Sequence, residues 1–266
     1  MKITSRDNSL LRQARAVRDG KMGELIFVEG LRLCEEALSS GLRIEAVIYS
    51  EEIGEKERAA RFLNEVASSC DRLAAVSEKL LATISFTKTP QGIIVLAKRP
   101  DSGVSKLDVG DRRVPLVVIL HGINNPVNVG AILRSAEAAG ATGAITTAST
   151  ADPFSPKALR GAMGSAFRLP IWSGPTYTAA LDWCAANKIQ TTCADVEAET
   201  LHTDLDWKIP RALIVGPESI GLGAEEVAVA NDAVRIEMQG SVESLNVGVA
   251  AAILLYEAAR QRQSRG

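Results

Sequence analysis

Cysteine and histidine are scarce in this chain. Cys34, Cys70, Cys184 and Cys193 form no C-x-x-C pair, and His121 and His202 are the only histidines to join them, so a zinc site lacks both ligands and spacing. No metal is expected, and the cysteines read as buried, reduced thiols. Long apolar runs are absent too: nothing approaches the ~18 residues of a membrane span, and no apolar h-region follows Met1 to Arg6. A soluble protein acting in the cytoplasm, with no membrane partner, is the expectation. Neither G-x-G-x-x-G nor G-x-x-x-x-G-K-[ST] can be read at the glycine-rich strand exit near Gly216, which weakens a dehydrogenase or NTPase assignment. Internal repeats and low-complexity tracts are also missing.

A strong excess of one charge is the last absence, since the net charge is −2, but the average hides a gradient. Residues 1–22 hold six basic and two acidic side chains, a net of +4, which leaves −6 on the rest. A basic N-terminal arm carrying Arg6, Arg12, Arg15 and Arg18 has the chemistry to track phosphates; a solvated helix face has the same pattern. The tail, with Arg260, Arg262 and Arg265, is a weaker case of the same kind.

What is present is enough apolar sequence for a sizeable core. With 266 residues, 46% of them hydrophobic, the chain fits two domains better than one. Periodicity predicts a strand over 24–28, a helix over 31–40 closed by Gly41, a strand over 44–49 and a charged helix near 55–68. A strand near 73–76, a short helix and a strand over 92–97 complete an alternating α/β unit, residues 1–98. Pro, Gly and charge then replace periodic hydrophobes over 99–113, the expected linker. Residues 114–266 open with the continuous apolar run Val114 to Leu120, as expected of a strand buried on both faces of a parallel sheet. Further strands are predicted near 143–148, 167–172, 189–194, 211–216 and 233–238. The fold class is therefore α/β, with a mostly parallel sheet covered by helices on both faces.

Three stretches carry chemistry. Asn124 to Ala136 follows the first strand of the second domain; Asn128 is placed to cap a helix ended by Gly140, with Val129, Ile132, Leu133 and Ala136 as its buried stripe. Arg134 falls opposite that stripe, either as a functional guanidinium or as an ordinary surface arginine. Ile214 to Gly223 runs from an apolar strand into a loop whose glycines let a ligand approach the backbone. Ile236 to Ala250 leaves another strand through small polar residues and enters a long Ser/Asn-capped helix, which puts N–H groups at the carboxyl edge of the sheet. Each alone is also compatible with an ordinary βα turn.

In order and spacing the three stretches resemble the motifs of the SpoU (TrmH-like) branch of the SPOUT RNA methyltransferases. Ser155 to Pro170 is similar to the family's segment between the first two motifs, and Phe27 to Arg32 with Thr89 to Ile93 resemble its L30e-like substrate-binding domain. The resemblance implies a C-terminal domain with a deep trefoil knot, a smaller N-terminal α/β L30e-like domain, and a homodimer. It implies methyl transfer from S-adenosylmethionine to a ribose 2′-hydroxyl of RNA, with rRNA favoured over tRNA by the long N-terminal domain; a non-catalytic RNA-binding or ribosome-assembly protein is the competing class. Carried over by position, Gly216, Gly221, Ile236 and Leu245 would hold the cofactor largely through backbone groups. Arg134, Glu218, Ser244 and Asn246 would line the reaction site, with Asn128 supporting the loop that bears Arg134. Two departures stand out: Glu237 where many members have proline, and Gly248 where many have serine or alanine, changes expected to loosen the edge of the knot.

Overall fold

The computed structural model describes every residue except 108, 109, 111, 112, 219, 220 and 264–266, and its contacts divide the chain into two units. The first comprises Met1–Pro100 and Phe154–Arg168, the second Asp101–Pro153 and Leu169–Gly266. The expected linker therefore lies partly, and Arg265 wholly, outside the described residues.

The first unit holds strands β1 (Leu25–Glu29), β2 (Ile44–Ser50), β3 (Leu73–Val76) and β4 (Ile93–Lys98), ordered β1-β4-β2-β3 among the described residues. β4 runs antiparallel to β1 and β2, while β2 and β3 are parallel. The basic N-terminal stretch is a helix, Ser9–Arg18, whose Leu10, Leu11, Ala14 and Val17 are buried against Phe27, Ile48 and Leu96. Burying Leu10, Leu11 and Val17 contributes roughly 1.5–3 kcal/mol each, which fixes the helix to the sheet rather than leaving a free arm. The single helix predicted near 55–68 is instead two, Glu51–Gly54 and Glu57–Val66. Ser50 starts the first by accepting from the Ile53 N–H, a cap that sequence reading missed. Phe154–Arg168 joins this unit with Phe154, Ala158, Leu159, Ala162 and Ala166 buried.

The second unit is organised on β5 (Leu116–Leu120), β6 (Gly143–Thr146), β7 (Ile171–Ser173), β8 (Gln190–Ala194), β9 (Thr200–Leu201), β10 (Arg211–Val215) and β11 (Asp232–Arg235). Among the described residues they form one sheet, ordered β7-β6-β5-β10-β8-β11-β9, with every pairing parallel. β5 and β10 are buried at every position, as the apolar runs Leu116–Leu120 and 212–215 require, while Arg211 at the start of β10 is buried on Thr192 and Asp232. From β5 the chain moves outward one way through β6 and β7, and β10, β8 and β11 lie on the other side, so the order reverses at the middle of the sheet. In such sheets the crevice for a ligand opens at the carboxyl ends beside that reversal.

Three expectations are corrected here, and one strand is added. The strand predicted near 167–172 begins only at Ile171, because Ser165–Arg168 is helical and Pro170 excludes helical geometry at the residue before it. The strand predicted over 233–238 stops at Arg235, leaving Ile236 to Met238 free of the ladder. The two-residue β9 was too short and polar to register. The helix Pro126–Ala138 is capped by Asn125, whose side chain accepts from the Val127 N–H at 3.0 Å, with Pro126 at the first helical position. Asn128 lies one turn inside, while Val129, Ile132, Leu133 and Ala136 are fully buried as predicted. Among the described residues no helix is long and apolar enough to cross a membrane.

Candidate functional site

A cavity of about 900 Å³ opens at the carboxyl ends of β10, β8 and β11. Its shape begins with Gly216, directly after β10. A Cβ on this residue would lie 2.7 and 2.9 Å from the Leu222 side chain and 2.9 Å from the Leu222 nitrogen, so the loop folds back over a position that only glycine fits. Gly221, at φ +66°, makes the return and donates its N–H to the Pro217 carbonyl at 3.0 Å. Ser219 and Ile220, within the same stretch, lie outside the described residues. Gly223 ends the loop by donating to Glu226 Oε2 at 2.8 Å. That N–H, and then His121, whose Nε2 is 2.9 Å from Glu226 Oε1, hold the Glu226 carboxyl below its usual range. His121 follows β5, so the far end of the loop is tied back to the centre of the sheet. The sequence reading found no role for either residue.

The cavity brings together Gly216, Glu218, Gly221, Ile236, Ser244 and Leu245, drawn from two of the three motifs. The third motif enters through hydrogen bonds. Asn128 Nδ2 donates to Glu218 Oε1 at 2.8 Å, and Asn246 Nδ2 donates to Asn128 Oδ1 at 3.3 Å. Asn246 Oδ1 in turn accepts from the Gly248 N–H at 2.9 Å, so it caps the helix Val247–Gln263. The chain Glu218, Asn128, Asn246 therefore links residues far apart in sequence, and it fixes the amide of Asn128, which is only 8% exposed and needs partners at both ends. At Gly248 a Cβ would stand 3.2 Å from Asn246 Oδ1, tighter than ordinary contact, so glycine here accommodates the cap. Arg134 stands apart from this chain. It projects from the exposed side of the helix Pro126–Ala138 and makes no hydrogen bond or ion pair among the described residues.

The charge of the lining was not anticipated. Asp195 and Glu197, just beyond β8, join Glu218 and Glu243, and among the described residues every charged group on the cavity wall is a carboxylate. The available signal was position: Asp195 is the first residue past the carboxyl end of a central strand. Such a wall favours a cationic ligand. The cysteines contribute nothing here as nucleophiles. All four are free and buried, and burial pushes Cys184 and Cys193 up to about 12, far from the thiolate that reactivity needs. Among the described residues no three His, Cys, Asp or Glu side chains group as metal ligands.

Comparison with known proteins bears on this geometry. A family model described as the SpoU rRNA methylase family matches residues 115–256, and one described as the MRM3-like substrate binding domain matches residues 11–95. A 23S rRNA (uridine(2479)-2′-O)-methyltransferase of Streptomyces viridochromogenes is 29% identical over 273 residues, covering 99% of this chain and 93% of that protein. The crystal structure of the SpoU methyltransferase AviRb from the same organism, in complex with the cofactor AdoMet, is similar at a TM-score of 0.87 and 28% identity, over 97% of this chain and 99% of that one. A TrmH/SpoU tRNA modifying enzyme of A. aeolicus is similar over only 58% of this chain and 79% of its own, with a TM-score of 0.52 and 29% identity.

Proposed function

The chain belongs to the SpoU rRNA methylase family, and from that premise we propose that it is an S-adenosylmethionine-dependent methyltransferase acting on a ribose 2′-hydroxyl of ribosomal RNA. One observation carries the reading: the glycine loop after β10 and the small-residue turn before the last helix wall a single acidic cavity. Its size is within the range of roughly 300–1,000 Å³ usual for small-molecule clefts. The glycine cradle at Gly216 and the wholly acidic charged lining both fit a cofactor with a flat adenosine and a cationic sulfonium. The similarity of an rRNA enzyme over nearly the whole chain, against a partial match for the tRNA enzyme, favours rRNA.

When bound, the cofactor supplies an electrophilic methyl group for in-line displacement by an oxygen nucleophile. The protein must then orient the 2′-hydroxyl and stabilise the negative charge that grows on it. Gly216, Gly221, Ile236 and Leu245 hold the cofactor through backbone groups and close packing. Arg134 faces the RNA. A guanidinium with its pKa above 12 is a poor base, so its role is to grip a substrate phosphate and stabilise the incipient alkoxide, while that phosphate takes the proton leaving the 2′-hydroxyl. Glu218, held by Asn128, favours the sulfonium electrostatically, and Ser244 and Asn246 position the ribose.

Calorimetry on the folded protein tests the cofactor site. AdoMet should bind more tightly than its uncharged-sulfur demethylated product, and Asp195→Asn should shrink that preference. Heat from neither ligand would contradict the assignment.

Family membership also supports the trefoil knot, the homodimer and a cytoplasmic site of action. For the homodimer there is a local observation as well. Val127 on one helix, and Val249 and Tyr256 on the helix packed beside it, are apolar side chains exposed to between 43% and 55%. Exposed large apolar residues on two packed helices suit a self-complementary interface. Tyr256→Asp should therefore shift the protein toward monomer in analytical ultracentrifugation; a wild-type protein that sediments as a monomer at all concentrations would remove the dimer.

A further inference from the structure

The first unit contains a loop more tightly built than its position requires. Glu29, half-buried at the end of β1, accepts from five groups in the segment 85–91: the hydroxyls of Ser85 at 2.5 Å and Thr87 at 2.9 Å, and the N–H groups of Phe86 at 2.8 Å, Thr87 at 3.2 Å and Gln91 at 3.4 Å. A carboxylate has about four acceptor positions, so Glu29 is saturated by this one segment. The Gln91 side chain also donates to the Thr89 carbonyl, at 3.0 Å, drawing the loop onto itself. From the other side Arg18, at the end of the basic helix Ser9–Arg18, donates to the Ser85 carbonyl at 3.3 Å. The backbone is thus held in place before any partner arrives.

What this loop presents is a ring and a charge. Phe86 is 41% exposed and is the only exposed aromatic of the unit among the described residues; Phe27, Phe62 and Phe154 are buried. Lys88 is exposed two residues on, and Arg12 is exposed on the helix that Arg18 ties to the loop. A fixed aromatic face beside cationic side chains matches how proteins take up unpaired nucleotides, with the base stacking on the ring and the phosphate meeting the cation. We propose that Phe86 is a stacking platform for an unpaired base of the RNA substrate, with Lys88 as its phosphate contact and Glu29 as the positioning residue that aims the ring. This rests on the RNA-methyltransferase reading above. A paired base offers no free face, so the platform selects single-stranded or looped RNA over duplex.

The test uses the full-length protein, protein-free 23S rRNA and a short perfect RNA duplex as probes, with AdoMet calorimetry in parallel. Phe86→Ala should weaken binding to the rRNA by about ten-fold or more, with duplex binding changed by less than about two-fold, because stacking contributes about 1–3 kcal/mol per base. Phe86→Trp, which keeps a stacking face, should restore most of the affinity. Glu29→Gln should weaken rRNA binding while AdoMet affinity stays at the wild-type value, which a merely misfolded protein would not do. Phe86→Ala protein that binds the rRNA like wild type would overturn the proposal. If that variant also methylated the rRNA, only the platform would be lost; a wild-type enzyme that fails to methylate it would instead sink the functional reading.

Discussion

Arg134→Lys is expected to lower the single-turnover rate of methyl transfer by about 100-fold or more, while AdoMet affinity stays within about two-fold of wild type. The expectation starts from position. Arg134 is exposed on the helix Pro126–Ala138, has no partner among the described residues, and is absent from the cavity wall that carries the cofactor reading. A long guanidinium kept free of internal ion pairs is available to an external anion. Lysine preserves the charge but loses the planar fork that grips two phosphate oxygens at once, and a misplaced donor near a developing oxyanion typically costs two to three orders of magnitude in rate. Stability should not move, since no buried contact is removed. If cofactor affinity fell in step with the rate, Arg134 would be a structural residue of the cavity and the assignment to the RNA side would be wrong.

Gly216→Ala is expected to be nearly as damaging, but on the other side of the reaction. The added methyl would meet the Leu222 nitrogen at 2.9 Å as well as its side chain, and backbone gives way less readily than a rotamer. The loop has to shift, at a cost of about 1–3 kcal/mol, and the floor of the cavity shifts with it. AdoMet affinity should therefore drop by about 30-fold, which the same free energy in the middle of that range produces. Gly223→Ala is the matched control: it sits in the same loop at φ −67°, and its Cβ would meet only Glu226 Oε2 at 3.7 Å. That variant should bind the cofactor like wild type. Equal loss in both would mean that the loop tolerates no substitution at all and that close packing over Gly216 is not the reason.

The parts of this arrangement that sequence could reveal are those set by local pattern. β5 and most of β10 were legible because burial on both faces demands apolar runs, and the inner stripe of the helix Pro126–Ala138 because its period is helical. The glycine at 216 could be flagged as a loop residue, but the reason for it, Leu222 folding back above it, could not. Asn128 was misassigned for a related cause. Asn125 and Asn128 are equally good caps in isolation, and only the approach of Glu218 and Asn246, residues remote in sequence, shows that Asn128 has another task. The acidic residues of the cavity were invisible as a group because three separate strand exits, after β8, β10 and β11, contribute to one wall. The N-terminal arginines were legible only as two alternatives, an arm or a solvated helix face, and the burial of Leu10, Leu11, Ala14 and Val17 decides for the helix.

The most direct measurement is transfer itself. Purified full-length protein, AdoMet carrying a labelled methyl group and protein-free 23S rRNA should give label that becomes covalently attached to the RNA. Digestion to nucleosides should recover it as a ribose 2′-O-methyl nucleoside at one position, with no transfer by the Arg134→Lys protein beyond about one per cent of the wild-type rate. Label on a base, or no label despite measured binding of both AdoMet and the RNA, would contradict the assignment of this cavity to ribose 2′-O-methylation.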